Sequence, residues 1–235
     1  MSLHGNRRAR TSHAESPGIV ISFSAWWYDM IVRWFVMQGR ESTFRHMIAN
    51  LAQLQSGETV LDVGCGTGTL ALIAKEYVGE TGCIAGIDPS KSLLAGACHK
   101  ATRAGLSINF QQGGIEQIPF PDQTFDVVLS TFMMHHVPDD IKHQGVTEIA
   151  RVLKTGGRLL VVDFQSSEEH QGCSLPFDTE MGIQNFPAFL QSEGFEHLTT
   201  GNIPFRIRSL SAGHKHYGFV SARKGEDRTR ESYPG

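Results

Sequence analysis

The chain has no long apolar run: none approaches the roughly 18–20 residues of a bilayer span, so stable membrane insertion is not expected. Excess positive charge is missing too. Lysine and arginine number 21 against 24 acidic residues, for a net charge of -3 and a pI near 6.4. Tracking a phosphate backbone normally takes a basic face, so no nucleic-acid partner is expected. Cys65, Cys83, Cys98 and Cys173 form no C-x-x-C pair and no regular spacing. That pattern fits unpaired thiols in a reducing compartment, and the expected localisation is cytoplasmic. Residues 1–20 carry Arg7, Arg8 and Arg10 but lack the apolar stretch of a secretory leader, so they read as a loose tail. Residues 224–235, charged and poor in apolar side chains, read the same way. No Pro/Gly/Ser-rich linker and no internal repeat divides the chain.

What remains is enough for one sizeable core, since 40% of the 235 residues are hydrophobic. Residues 21–55 read as two helices. Trp26, Trp27, Met30, Ile31, Trp34 and Phe35 recur at helical spacing, and Phe44, Met47, Ile48, Leu51 and Leu54 form a second amphipathic face. The second face fits packing on a domain flank. The first is richer in aromatics than a flank helix requires, which suggests a lid carrying Tyr28 and Asp29 as pocket residues. Across 56–223, apolar strand candidates alternate with helices of about ten to fifteen residues, the pattern of a doubly wound, mostly parallel α/β sheet. Strands are expected near Val60–Val63, Cys83–Ile87, Ile108–Gln112, Phe125–Ser130 and Gly157–Asp163. A looser region follows, with two further strand candidates near Glu196–Thr200 and Tyr217–Ala222.

The chain is organised around Val60-Leu61-Asp62-Val63-Gly64-Cys65-Gly66-Thr67-Gly68-Thr69-Leu70. A strand feeds a loop with glycine at every second position, and a helix follows. Glycine lets the backbone approach a ligand closely, and the helix start offers unpaired N–H donors. Asp88 ends the second strand roughly 20–25 residues past the glycines, the spacing at which an acidic residue meets ribose hydroxyls. A dinucleotide fingerprint is G-x-G-x-x-G, but Thr69 stands where its third glycine would be. Asp62, just ahead of the loop, also disfavours an anionic pyrophosphate and suits a ligand carrying positive charge, such as a sulfonium with an α-ammonium group.

Here the sequence resembles a known family. Val60 to Gly68 resembles motif I of the class I S-adenosylmethionine-dependent methyltransferases, and Gly86-Ile87-Asp88-Pro89-Ser90 is similar to their second motif. Ile118 to Val128 resembles the LPFPDxxFDVV run of the quinone- and sterol-methyltransferase-like subgroup, and Leu153 to Leu159 the LKPGGxL turn. The resemblance implies a Rossmann-like, seven-stranded, mostly parallel fold with an N-terminal helical appendage. It implies S-adenosylmethionine as cofactor, S-adenosylhomocysteine as product and a small-molecule methyl acceptor. It also implies that Asp62 and the Gly64, Cys65, Gly66 and Gly68 loop hold the methionine end. Asp88 would take the ribose hydroxyls, Pro89 or Ser90 would flank the adenine, and Ser130 would line the site. The family usually has Gly-Asp-Ala after the third strand, its aspartate accepting from the adenine amino group. This chain has Gly113-Gly114-Ile115, so the adenine at Gly114 would rely on the Ile115 backbone N–H and apolar packing, with Glu116 a possible substitute.

Methyl transfer is an in-line displacement at an already activated carbon, and a base is needed only for a protonated nucleophile. His135 and His136 after the fourth strand are base candidates, and Asp163 at the end of the fifth could orient substrate. No metal site is expected: His214 and His216 lack a third ligand, and Asp139-Asp140 reads as a helix start. The chain lacks both the Asn-Pro-Pro-aromatic run of amino-methylating nucleic-acid enzymes and any Pro-Cys dipeptide, which favours a small-molecule acceptor, and Trp26, Trp27, Phe132, Met133 and Met134 around the expected pocket suggest an apolar or aromatic one. A non-catalytic cofactor-binding protein is the alternative reading, and the sequence leaves the oligomeric state open.

Overall fold

The computed structural model describes residues 39–165, 182–205 and 217–226, together with Met30 and Met37. Apart from Met30, the aromatic first helix lies outside these residues, as do Cys173, His214 and His216.

The described chain begins with α1 (Glu41–Leu51), followed by β1 (Thr59–Val63), α2 (Thr69–Val78), β2 (Cys83–Asp88), α3 (Lys91–Arg103) and β3 (Asn109–Gln112). Then come β4 (Phe125–Thr131), a short 3-10 turn at Met134–His136, α4 (Asp139–Val152) and β5 (Leu153–Phe164). A second 3-10 turn at Ile183–Asn185, α5 (Phe186–Ser192), β6 (Phe195–Asn202) and β7 (Tyr217–Lys224) complete it. The strands form one 7-stranded sheet in the order β3-β2-β1-β4-β5-β7-β6. The pairs from β3 to β5 are parallel, and β7 runs antiparallel to both its neighbours. The fold is the doubly wound sheet expected from the sequence.

The central strands are apolar on both faces because helices cover both. Leu61, Val63, Val128, Leu159 and Val161 join a core with Val146 and Ile149 of α4. Val60, Val127, Leu129, Leu160 and Val162 join another with Phe44 and Ile48 of α1 and Leu70 and Ala74 of α2. Alternation along a strand therefore assigns Asp62 and Thr131 to the α1 face, and Ser130 and Asp163 to the α4 face. The sequence reading starts the fifth strand at Gly157, whereas β5 begins at Leu153. A register shift between Phe125 and Val127 carries the Lys154–Gly157 turn within the strand.

α1 is fastened into the domain at its C-terminal end. Arg158 donates to the carbonyls of Ala52 and Gln53 at 3.3 and 3.1 Å and pairs with Glu58 at 2.8 Å. Strand order reverses between β1 and β4, the switch point beyond whose carboxyl strand ends open α/β sheets bind their ligands.

Candidate functional site

The glycine loop is shaped by its own backbone. Gly64 and Cys65 both donate to the carbonyl of Ile87 at 2.9 Å, and Gly68 donates to Cys65 at 2.9 Å. Two glycines are structurally required. Gly64 has φ +73 and a Cβ there would run into Met133; Gly68, the N-cap of α2, has φ +74 and a Cβ would meet Phe110 and Ala97 at 2.8 and 2.9 Å. Both sit in the left-handed region that side chains disfavour.

Asp88 braces this loop. One carboxylate oxygen accepts from Gly66 N at 2.9 Å and the other from Ser90 N at 2.8 Å, while Ser90 Oγ caps α3 by accepting from Leu93 N at 3.4 Å. Asp88 thus shares the entry to α3 with Ser90. Each carboxylate oxygen keeps a further lone pair for a ligand. Pro89 is tied to the end of β3, its carbonyl accepting from Gln112 Nε2 at 3.0 Å.

Asp62 differs from Asp88. It is buried, and among the described residues neither of its side-chain oxygens has a hydrogen-bond partner. Burial pushes its carboxyl up to about 7, with Asp88 adding to the rise and Arg45 opposing it. A carboxylate left without a partner in a protein interior is costly unless something cationic or a proton satisfies it. Ser130 Oγ is likewise buried without a partner on the opposite face of the sheet. Burial also drives the Cys65 thiol far above its usual range, helped by Asp62 and Asp88, so Cys65 is no nucleophile.

At the third strand's end, the side chain of Ile115 turns into the core, where it fills the space beside Gly145. What it can offer a ligand is backbone. The carboxylate of Glu116 folds back over Gly114, so a Cβ built there would overlap both its oxygens. Glu116 thus places a carboxylate where a side chain on residue 114 would begin.

The ends of β4 and β5 bring His135 and Asp163 together. His135 Nδ1 lies 2.7 Å from one Asp163 oxygen and the His135 backbone N–H donates to the other at 3.1 Å. Phe164 N also donates to Asp163 at 2.7 Å, so the carboxylate is fixed from three directions. The His136 ring lies against His135 with centroids 3.8 Å apart and planes tilted by 44°, and its buried Nδ1 has no hydrogen-bond partner among the described residues. Burial, with His135 adding to it, lowers His136 to about 4, so it is neutral near pH 7. Phe132 leaves β4 with φ +53, a strained backbone for an aromatic residue costing about 1–2 kcal/mol. Contacts with Phe44, Phe164 and Tyr217 at 5.5, 5.1 and 5.9 Å hold it there, each worth about 0.5–1.5 kcal/mol.

This cradle and its neighbouring residues match known proteins. Residues 60–157 match the family described as a methyltransferase domain. Over 173 residues the chain is 35% identical to the ubiquinone/menaquinone biosynthesis C-methyltransferase UbiE of Bdellovibrio bacteriovorus, covering 72% of each chain. The chain belongs to the class I S-adenosylmethionine-dependent methyltransferases. It is also 39% identical over 124 residues to the uncharacterised methyltransferase YcgJ of Bacillus subtilis, spanning 52% of this chain and 47% of that protein. Several such matches span only about half the length of the relative, as this one does. The crystal structure of YcgJ superposes with a TM-score of 0.64 over 80% of this chain and 100% of that one, at 21% identity, a likeness of fold.

As a class I methyltransferase the protein takes S-adenosylmethionine as its cofactor, and the residues present fit that ligand. The unpartnered Asp62 carboxylate suits an ammonium group, and the glycine cradle admits a ligand close to its backbone. Sequence reasoning missed Arg45. Its Nη1 donates to Thr131 Oγ1 at 3.1 Å at the end of β4, and its buried Nε has no hydrogen-bond partner among the described residues. The available signal was a charged residue next to Phe44 on the buried side of an amphipathic helix. The pairing of His135 with Asp163 was not readable either, because the two residues are 28 apart in sequence.

Proposed function

We propose that this methyltransferase acts on a small aromatic acceptor carrying an acidic hydroxyl, a phenol or quinol, with His135 as the base. The observation that carries the reading is the 2.7 Å contact between His135 Nδ1 and the buried Asp163 carboxylate. Asp163 fixes the ring so that Nε2 faces away from it, available to a substrate proton. His136, lowered to about 4, is a poor base at neutral pH and instead packs against the His135 ring. The acceptor class is supported by the aromatic rings beside the dyad, Phe132 and Phe164, and by the relatives named as quinone-pathway and demethylmenaquinone methyltransferases. Taking the hydroxyl proton raises the electron density of the ring and its oxygen, either of which can then accept a methyl group.

Bound S-adenosylmethionine supplies a methyl group already activated on a sulfonium. Toward that ligand, Asp62 and the Gly64–Gly68 loop with Cys65 hold the methionine end, and Asp88 receives the ribose hydroxyls through its remaining lone pairs. Pro89 flanks the adenine and Ser130 Oγ lines the crevice. The Ile115 backbone with the Glu116 carboxylate over Gly114 receives the adenine edge, Glu116 replacing an aspartate at residue 114. The protein adds position and proton removal, which together suffice for an activated donor.

The test is transfer of isotope-labelled methyl from S-adenosylmethionine to a panel of phenols, hydroquinones, amines and thiols. Labelling of hydroxylated rings, lost with His135→Ala, is expected. Labelling confined to amines or thiols would overturn the acceptor class, and cofactor binding without transfer to any of them would favour the non-catalytic alternative.

A further inference from the structure

Residues 113–124, between β3 and β4, lie outside the sheet, and α4 carries them. Gln144, Glu148 and Arg151 recur at i, i+4 and i+7 and so share one face of that helix. Gln144 Nε2 donates to the carbonyl of Glu116 at 2.9 Å. Glu148 accepts from Ile118 N at 2.9 Å. Arg151 donates to the carbonyls of Ile118 and Phe120 at 2.9 and 2.8 Å and to Asp122 at 2.7 Å. Backbone groups outside a sheet need partners of this kind, and here one helix face supplies them.

Gly145 completes the face. It is buried within α4, where glycine weakens a helix relative to alanine, and a Cβ there would lie 2.5 and 2.7 Å from atoms of the Ile115 side chain. The helix thus gives up a side chain so that Ile115 can seat against its backbone. Consecutive residues of α4 hold consecutive residues of the loop, Gly145 under Ile115 and Gln144 on Glu116. With both positions held, the Glu116 carboxylate lies folded back over Gly114.

We propose that Gln144 and Gly145 are positioning residues for purine selection. They hold the Glu116 carboxylate where it accepts from the amino group of adenine, in a chain whose residue 114 is glycine and brings no side chain of its own. They act through Glu116 and Ile115, and Glu148 and Arg151 keep the following residues in register with them. The proposal rests on the S-adenosylmethionine reading of the cradle and extends the site to a helix that carries no part of the glycine motif.

Calorimetry with S-adenosylhomocysteine and its 6-deamino analogue, in which hydrogen replaces the adenine amino group, tests it. Wild-type protein is expected to bind S-adenosylhomocysteine about tenfold more tightly than the deamino analogue, the effect of one hydrogen bond. Gln144→Ala should weaken S-adenosylhomocysteine about threefold and leave the deamino analogue unchanged; because Gln144 is exposed, the variant should melt close to wild type. Gly145→Ala pushes Ile115 and its neighbour out of place and should abolish the preference between the two ligands. Adding Ile115→Ala removes the overlapping atoms and should bring the preference back. An unchanged ratio of the two affinities in Gln144→Ala and Gly145→Ala, whether both ligands weaken equally or neither does, would make this face a fold element and overturn the proposal. Equal wild-type affinity for the two ligands would overturn it as well, with the cofactor reading intact. Failure of the wild type to bind either ligand would instead overturn the cofactor reading itself.

Discussion

The two halves of the crevice are built differently. On the β1–β2 side the backbone does the shaping: Gly64 and Cys65 share the carbonyl of Ile87, and Asp88 ties Gly66 to the start of α3. On the β4–β5 side the shaping is done by side chains, with His135 held by Asp163 and the rings of Phe132 and Phe164 around it. A backbone cradle fixes a ligand common to many proteins and leaves little room for variation. A side-chain constellation can be exchanged residue by residue without disturbing the sheet, and the proposed function puts chemistry and acceptor choice there. The contrast predicts that changes on the two sides separate cleanly: turnover on one, cofactor affinity on the other.

The largest expected effect is at His135. His135→Ala should lower kcat by about 10²–10⁴-fold with an acidic hydroxyl acceptor, the usual contribution of a positioned base. Its affinity for S-adenosylhomocysteine should stay within about twofold by calorimetry, because the ring belongs to the acceptor side. A matching loss of cofactor affinity would break the division between the two halves. Asp163→Asn should follow with a smaller fall in kcat, since the ring remains but loses its fixed orientation.

Asp62 gives the next effect, on the other side of the divide. Asp62→Asn should weaken S-adenosylhomocysteine by about 10–100-fold, the range for a hydrogen bond to a charged group of about 1.5–3 kcal/mol. Because the folded pKa lies near 7, above its ordinary value of 3.8, the free protein favours protonated Asp62. The sign follows. Stability from this group is complete below pH 4 or so and declines as pH rises through about 7, so the free variant should melt higher than wild type at pH 8. Ligand ammonium favours the carboxylate, so binding below about pH 7 should release a proton and weaken as pH falls. Calorimetry in buffers of different ionisation enthalpy reads this directly, and proton uptake instead of release would refute the assignment.

The same contrast explains what could be read from the sequence. The doubly wound sheet and the glycine loop were legible because strand, loop and helix are contiguous and each local choice has one physical use, the apolar run for a strand and the alternate glycines for a cradle. The residues on the β4–β5 side were found only as separate candidates. Nothing local says that Asp163 faces His135 and not His136; that depends on the register of Ser130 with Val161 and on the turn at Met134. Arg45 escaped notice for a related reason. It sits one residue from Phe44 in a stripe that reads as flank packing, and only the fold brings it over Thr131. Ile115 shows the opposite case, an apolar residue expected beside the ligand whose side chain the core claims.

The smallest effect concerns the adenine end, where the two halves meet. With glycine at residue 114 the acceptor for the adenine edge must come from elsewhere, and the Glu116 carboxylate lies over the vacant Cβ position. Glu116→Gln keeps an acceptor oxygen and the side-chain length while removing the charge, so affinity for S-adenosylhomocysteine should fall only about threefold. Glu116→Ala removes the acceptor entirely and should cost about tenfold, within the about 0.5–1.5 kcal/mol of a hydrogen bond to a neutral group. Gly114→Asp would force the Glu116 carboxylate out of its place, because the new Cβ overlaps it. Combined with Glu116→Ala, however, Gly114→Asp should restore most of the lost affinity by supplying a carboxylate from the neighbouring position. Restoration in the double variant, measured against each single change, tests whether one carboxylate at this spot is what the cradle needs. Additive losses would mean that Glu116 and residue 114 act on the ligand independently, whereas no loss in either Glu116 variant would mean that the adenine is held by backbone alone.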